Sequence, residues 1–351
     1  MKLANRWRLV WLALFLSGCI QTTARPESTL PAQIRGTPSA QEFPVKPIPL
    51  SGPAASRKAE LSGMAWYGDT LILLPQYPAR FGDGPDGALF AIPKTDLLAY
   101  LDGSWTEPLL PQEVPLVAPG LANKLPGYQG FEAIAFQGDQ VYLTIETKPR
   151  ADMLGYLVSG SISPDLSQVS LDVDNLQAIQ PQAHLDNMAD ETLLLAGDRL
   201  VTIYEANGVN VNPSPLAHLF TLHLQQVSTI PFPNIEYRIT DATALDSAGQ
   251  FWAINYFYPG DTLLKPGPDL LAERYGEGPT HARYKTVERL VEFHYSPSGI
   301  QLVDRPPIQL QLIDDNHSRN WEGLARLGQR GFLLATDTFP ETILGFVSSP
   351  P

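Results

Sequence analysis

The chain has 351 residues, 37 acidic against 24 basic, a formal charge of −13 and a single cysteine. That balance excludes bulk electrostatic attraction to nucleic acid or to anionic headgroups. One cysteine excludes an internal disulfide framework, so the fold must rest on its core.

The first segment is a targeting signal and not part of the fold. Lys2, Arg6 and Arg8 precede the apolar run Leu9 to Leu16, which ends in Leu16-Ser17-Gly18-Cys19. The run falls short of the roughly 20 apolar residues that span a bilayer. A basic start, a short apolar stretch and small residues before a cleavage point resemble a bacterial lipoprotein signal, with Cys19 as the lipidated first residue. An ordinary signal peptide with an incidental cysteine is the alternative. Removal of 1–18 would take the formal charge from −13 to −16. Residues 19–44, rich in Thr, Ser, Pro, Gln and Ala, read as a flexible tether. Residues 45–351 have one texture and are expected to form a single domain. The expected location is a membrane-anchored one, facing the periplasm or the exterior of a bacterium.

Within that domain one phrase recurs five times. Its clearest copy runs from Phe131 to Glu146: a polar opening, a small apolar run, a Gly-containing turn, a second apolar run and a polar end. Ser62 to Gln76, Glu132 to Glu146, Glu191 to Glu205 and Asp241 to Asn255 share one offset. Glu322 to Asp337 is one residue longer, with the extra residue in the turn Gly328-Gln329-Arg330-Gly331. Each copy reads as two strands joined by a tight turn. Two further β-like runs follow: Gly87 to Ile92 and Glu113 to Ala118; Met153 to Ser159 and Val169 to Ile179; Ala217 to Leu224 and Gln226 to Phe232; Thr286 to Tyr295 and Ile300 to Ile313. Four strands per unit around a ring is the β-propeller plan. The fifth unit lacks one strand, and Val45 to Ser51 is placed to supply it. The expectation is an all-β propeller of five four-stranded blades closed by an N-terminal strand, with six blades if the stretch 256–320 hides a degenerate unit. Thr95 to Leu101 and Pro268 to Arg274 are short helix candidates.

A propeller's inner strands line its channel, so the opening acids Glu132, Glu191, Asp241 and Glu322 should converge at one end. Glu146, Glu205, Asn255 and Asp337 close their strands on the same face. Converging carboxylates raise one another's pKa unless a cation neutralises them, and calcium takes oxygen ligands of this kind. The alternative is that each acid bonds backbone amides of the next blade and fixes blade packing. Arg80 and Arg150, each four residues past a closing residue, are candidates to clamp an anionic group. The irregular stretch Tyr256 to Tyr284, with His281, is long enough to cover the mouth. Arg319, with His317, precedes the last copy and also falls within reach of it. No nucleophile elbow, metalloprotease motif or P-loop is present.

The phrases Gly130-Phe131-Glu132-Ala133-Ile134-Ala135-Phe136, Asn320-Trp321-Glu322-Gly323-Leu324-Ala325, Tyr204-Glu205-Ala206-Asn207 and Ala335-Thr336-Asp337-Thr338-Phe339 resemble the bacterial "esterase-like activity of phytase" domain family over about 58 to 348. Ser62-Gly63 in the first copy and Thr243 in the fourth depart from its pattern. The resemblance implies a secreted or periplasmic propeller and calcium-assisted hydrolysis of a small-molecule ester or phosphoester. Glu132, Glu146, Glu191, Glu205, Asp241, Glu322 and Asp337 are then expected to hold the metal, and Arg80, Arg150, Asn255, His281 and Arg319 the substrate. A non-enzymatic ligand- or protein-binding propeller is the competing expectation.

Overall fold

A computed structural model describes residues 40–350. Cys19, the signal 1–18 and the tether as far as residue 39 lie outside the described residues. The chain forms five antiparallel blades in sequence order. Blade 1 is Leu61–Tyr67, Thr70–Pro75, Ala88–Pro93 and Gln112–Val117; blade 2 is Tyr128–Gln137, Gln140–Thr147, Leu154–Ile162 and Val169–Ile179; blade 3 is Asp190–Ala196, Arg199–Tyr204, Leu216–Thr221 and Gln226–Pro231. Blade 4 begins with Arg238–Ala242, Gln250–Phe257 and Val287–Ser296. Blade 5 is Trp321–Arg326, Gly331–Thr336, Leu344–Ser348 and the N-terminal Lys46–Ile48, which pairs antiparallel to Leu344–Ser348. The inner strand of each blade packs on those of both its neighbours, and blade 5 returns to blade 1, so the ring closes at five.

The strands are continuous apolar runs because both faces of every blade are covered. In Thr70–Pro75, Leu71 and Leu73 enter the core shared with blade 5, while Ile72 and Leu74 enter the core shared with blade 2. Five cores lie one per interface, each built from residues of two adjacent blades, and a smaller sixth joins Met188, Tyr204 and Ala206 to Leu264 of the blade 4 excursion. Period-two alternation therefore sorts residues between neighbours rather than between core and water. Blades 1 and 2 are also joined at their outer edges, where Val169 and Ser170 pair in parallel with Leu116 and Val117.

Two expectations change in detail. The outer strand of blade 4 is not one run from Ile300 to Ile313. It is two pieces, Gly299–Leu302 and Ile308–Leu310, both on the edge of Val287–Ser296. Pro306-Pro307 stands between them and supplies no N–H to a ladder. The ordered domain also starts before residue 45: Glu42–Phe43 pairs in parallel with Ile308–Leu310. Phe43 is buried in the core between blades 4 and 5. The Glu42 carboxylate accepts from the Thr280 and His281 backbone N–H groups and meets His281 Nδ1 at 2.9 Å. The N-terminal segment thus edges two blades in succession. The expected helices are Lys94–Leu101 and Leu270–Tyr275, the latter within the long excursion between the second and third strands of blade 4.

Candidate functional site

The repeated phrase has a structural cause. Each inner strand shifts register against its partner at the opening position: between Leu61 and Gly63, Phe131 and Ala133, Asp190 and Thr192, Ile239 and Ala242, and Trp321 and Gly323. The extra residue is Ser62, Glu132, Glu191, the Thr240-Asp241 pair and Glu322 in turn. A bulge leaves its extra residue out of the ladder and re-aims the side chain. Here it turns three glutamates into the mouth of the channel.

They line a cavity of roughly 190 Å³ together with Gln76, Tyr77, Gln129, Glu146, Asn187, Arg238, Asn320 and Asp337. Gly130 permits its close wall: at φ 122° it lies against Gln76, and Phe131 N donates to the Gln76 carbonyl at 2.9 Å. Gln76 Nε2 then donates to Glu132 Oε1 at 3.1 Å. Opposite stands Arg238, on the inner strand of blade 4. Its Nε donates to Glu205, its Nη2 lies 3.7 Å from Glu191 and 3.6 Å from Glu322, and its Nη1 donates to Asn320 Oδ1 at 3.4 Å. Asn320 Nδ2 donates to Glu322 Oε1 at 2.6 Å and to Asp337 Oδ2 at 3.5 Å.

Six carboxylates therefore face one guanidinium. Burial pushes Glu132 well above the usual carboxylate range, and repulsion from Glu146, Glu191 and Glu322 adds to it. Burial, then repulsion from Glu191, raises Glu146 to about 8. Burial raises Glu191 to about 7 against the opposing pull of Arg238. Glu322 is raised well above its ordinary value by burial and by Asp337. Arg238 is held protonated by its acidic neighbours against the cost of burial. Two buried oxygens, Glu146 Oε1 and Glu205 Oε2, have no hydrogen-bond partner.

Of the expected metal ligands, Glu132, Glu146, Glu191, Glu322 and Asp337 line this well, and Glu205 reaches it through Arg238. Asp241 does not. Its Oδ1 accepts from Ala242 N and its Oδ2 from Leu324 N, both at 2.7 Å, so it ties blade 4 to blade 5 by backbone. Ser62 does similar work, donating to the Phe131 carbonyl at 2.6 Å. A side chain at Gly63 would crowd the Glu132 carbonyl, at 2.9 Å, which explains the glycine after Ser62. Among the described residues, no three His, Cys, Asp or Glu side chains are gathered closely enough to hold a metal ion as they stand. The donors are nonetheless all hard oxygens, two of them unpartnered, which is the donor chemistry calcium takes.

The five expected substrate contacts are placed elsewhere. Arg80 pairs with Glu60 at 2.6 Å and stacks on Tyr77, a residue of the well's wall. Arg150 is exposed. Asn255 is buried, with its amide donating to the Glu236 and Arg238 carbonyls and its oxygen accepting from Arg289. His281 is held by Glu42. Arg319 is buried against Glu288 and the Gln311 carbonyl. None of the five lines the well. The cation that does is Arg238, which the motif search passed over. Its one signal was a charge within the apolar, strand-like run that opens the fourth repeat.

No family model matches the chain, and no curated protein matches it. Solved structures do resemble it at a distance. A glycosyl hydrolase from Bacteroides ovatus is 10% identical, with 89% of this chain and 94% of that one covered and a TM-score of 0.46. The catalytic domain of the Coprinopsis cinerea alpha-L-arabinofuranosidase is 8% identical, covering 89% and 98%, at 0.46. The soluble aldose sugar dehydrogenase of Escherichia coli is 11% identical, covering 87% and 99%, at 0.43. These likenesses are weak, and the ring of blades stands on its own strand pairing. Fold and well together define a five-bladed β-propeller with an acidic channel mouth.

Proposed function

We propose that the protein is a lipid-anchored envelope hydrolase that cleaves an ester or phosphoester bond at the channel mouth, with calcium held among the mouth's carboxylates. One observation carries it: six carboxylates gather at the well, only three of them, Glu191, Glu205 and Glu322, reach its one arginine, and two of the carboxylate oxygens lack any partner. Glu132 and Glu146, which make no contact with Arg238, would hold the cation with Glu191. Calcium bound there supplies positive charge opposite an ester or phosphoryl oxygen, which the acidic well would otherwise repel. Glu146, raised to about 8 by burial while no cation is bound, would give up its proton on taking the cation, so binding should strengthen as pH rises. Arg238 fixes the side chains of Glu205, Glu191 and Glu322. The likeness of the Gly130 to Phe136 and Asn320 to Ala325 phrases to phytase-like domains supports an ester or phosphoester as substrate. The lipid at Cys19 would hold the domain at a membrane, facing the periplasm or the exterior.

The test is turnover of p-nitrophenyl phosphate and p-nitrophenyl acetate by the full-length chain, in calcium and in chelator. Calcium-dependent turnover with a melting temperature raised by calcium is expected. No turnover under any condition, together with a melting temperature that chelator leaves unchanged, would overturn the proposal. Calcium-dependent stabilisation without turnover would favour the second reading, a propeller that binds a ligand through the same well.

A further inference from the structure

Beside the acidic well lies a second cavity of about 350 Å³, and the two share a wall made of Arg238 and Asn320. The rest of its lining has a different character. Tyr256, Tyr258, Phe339 and Pro340 supply rings, and Asp261 is the acid among them, beside Asn316 and Ser318. Three separate stretches supply these residues. Tyr258 and Asp261 come from the excursion that leaves blade 4, Phe339 and Pro340 from the loop within blade 5, and Tyr256 from the second strand of blade 4.

The rings are held, yet left open on one side. Tyr258 is 44% and Phe339 59% exposed, unusual for large apolar side chains so close together. Arg57 lies over the Phe339 ring at 5.1 Å and donates from Nε to the Thr338 carbonyl at 3.1 Å, which braces that loop. Any side chain at Gly260 would strike the Tyr258 ring, so the glycine keeps the ring in place. Tyr256 is fixed by its hydroxyl contact with Ser318 at 3.3 Å and by Arg238 over its face. Asp261 Oδ2 is buried and has no hydrogen-bond partner. A buried acceptor without a donor costs on the order of 1–3 kcal/mol. In a wall of aromatic faces it calls for a ligand that carries both a ring and a donor.

We propose that this cavity binds a planar aromatic group bearing a hydroxyl or amine donor, the ring lying against Tyr258 and Phe339 and the donor bonded to Asp261 Oδ2. Resting on the hydrolase reading, it receives the alcohol half of the substrate, with the scissile bond at the Arg238–Asn320 partition. The volume suits a one- or two-ring group, and ligand pockets of this kind pair apolar walls with a few placed polar atoms. Aromatic pairs prefer offset or edge contacts, which splayed rings on separate loops can provide.

The experiment titrates the full-length chain with 2-naphthol and with 2-methoxynaphthalene, which lacks the donor, and reads binding by ligand fluorescence. Naphthol should bind the wild type at least fivefold more tightly than its ether. Tyr258→Ala and Phe339→Ala should each weaken both probes by about fivefold or more. Asp261→Ala should weaken naphthol about tenfold and leave the ether unchanged. Trp105→Ala, at an exposed aromatic away from the cavity, should change neither. Melting temperatures show that each variant is folded. Absence of naphthol binding, or binding that Tyr258→Ala and Phe339→Ala leave intact, would overturn the site; equal losses for both probes in Asp261→Ala would overturn the donor contact. Binding needs no turnover, so the two proposals fail separately. A chain that binds naphthol and hydrolyses nothing breaks only the hydrolase reading, and one that hydrolyses p-nitrophenyl phosphate without binding naphthol breaks only this one.

Discussion

Among the buried arginines of blades 4 and 5, Arg319 and Arg238 stand in opposite circumstances. Arg319 faces one acid, Glu288, and every polar atom there is used: Glu288 Oε1 accepts from Arg319 N at 2.9 Å, and Oε2 from Arg319 Nε at 2.8 Å and Trp321 Nε1 at 2.7 Å. Arg238 contacts three acids, Glu191, Glu205 and Glu322, in a well that also holds Glu132, Glu146 and Asp337, with two oxygens left unpartnered. A cluster that is closed in charge and in hydrogen bonds has nothing left to give a ligand. One that is open in both has capacity for a cation, a proton or a substrate. The difference separates scaffold from site more cleanly than burial does, since both clusters are buried.

The comparison is broken or sharpened by substitution. The largest expected effect is at the closed centre. Glu288→Ala strands a buried guanidinium and an indole N–H, and should cost about 3–5 kcal/mol of stability in denaturant unfolding. Next, in the open centre, Glu146→Gln removes a proposed calcium ligand and should lower hydrolysis by about a hundredfold while the folded chain is kept. A comparable loss of stability at both centres would erase the distinction. The third prediction concerns pH. Glu146 and Glu191 have folded-state values of about 8 and about 7 against an ordinary 4.5. Between these limits the unfolded chain holds fewer protons than the folded one, so stability from these groups is complete below about 4.5 and is lost as pH rises towards 8. Melting scans in chelator should show that fall, and Glu146→Gln should flatten it, gaining about 2–4 °C per kcal/mol recovered. A melting temperature that rises through the window would contradict the raised values. The smallest effect is at Arg80, a half-exposed partner of Glu60. Arg80→Ala should change stability by less than about 1 kcal/mol and leave turnover as it was.

The ring was legible in the sequence because one spacing repeats. A two-strand phrase with a bulge at its opening position has a fixed length, which the copies opened by Glu132 and Glu191 keep and the one opened by Glu322 exceeds by a single turn residue. The same regularity misled at Asp241, which shares the position and yet turns both oxygens to backbone N–H groups of Ala242 and Leu324. Position in a repeat fixes where a side chain starts; what it meets depends on the neighbouring blade. Arg238 was invisible for the converse reason. It belongs to no repeat position, and only the assembled ring brings Glu191, Glu205 and Glu322 around it. Arg80 and Arg150 showed the cost of counting along the chain: four residues past the strand end leaves Arg150 exposed and ties Arg80 to Glu60 and the Tyr77 ring, so that neither lines the mouth.

The closing segment has a consequence for how the molecule is made. Lys46–Ile48 pairs with Leu344–Ser348, and Glu42–Phe43 with Ile308–Leu310. The earliest ordered residues to leave the ribosome must therefore wait for nearly the whole remaining chain before they find partners. Contacts of such long sequence separation slow folding. Blades 1 to 3 hold their four strands without that segment and are free to form first, while blades 4 and 5 are finished together at the end. Until then two unpaired edges stand open to strands from other chains, and a truncated chain would keep them open for good.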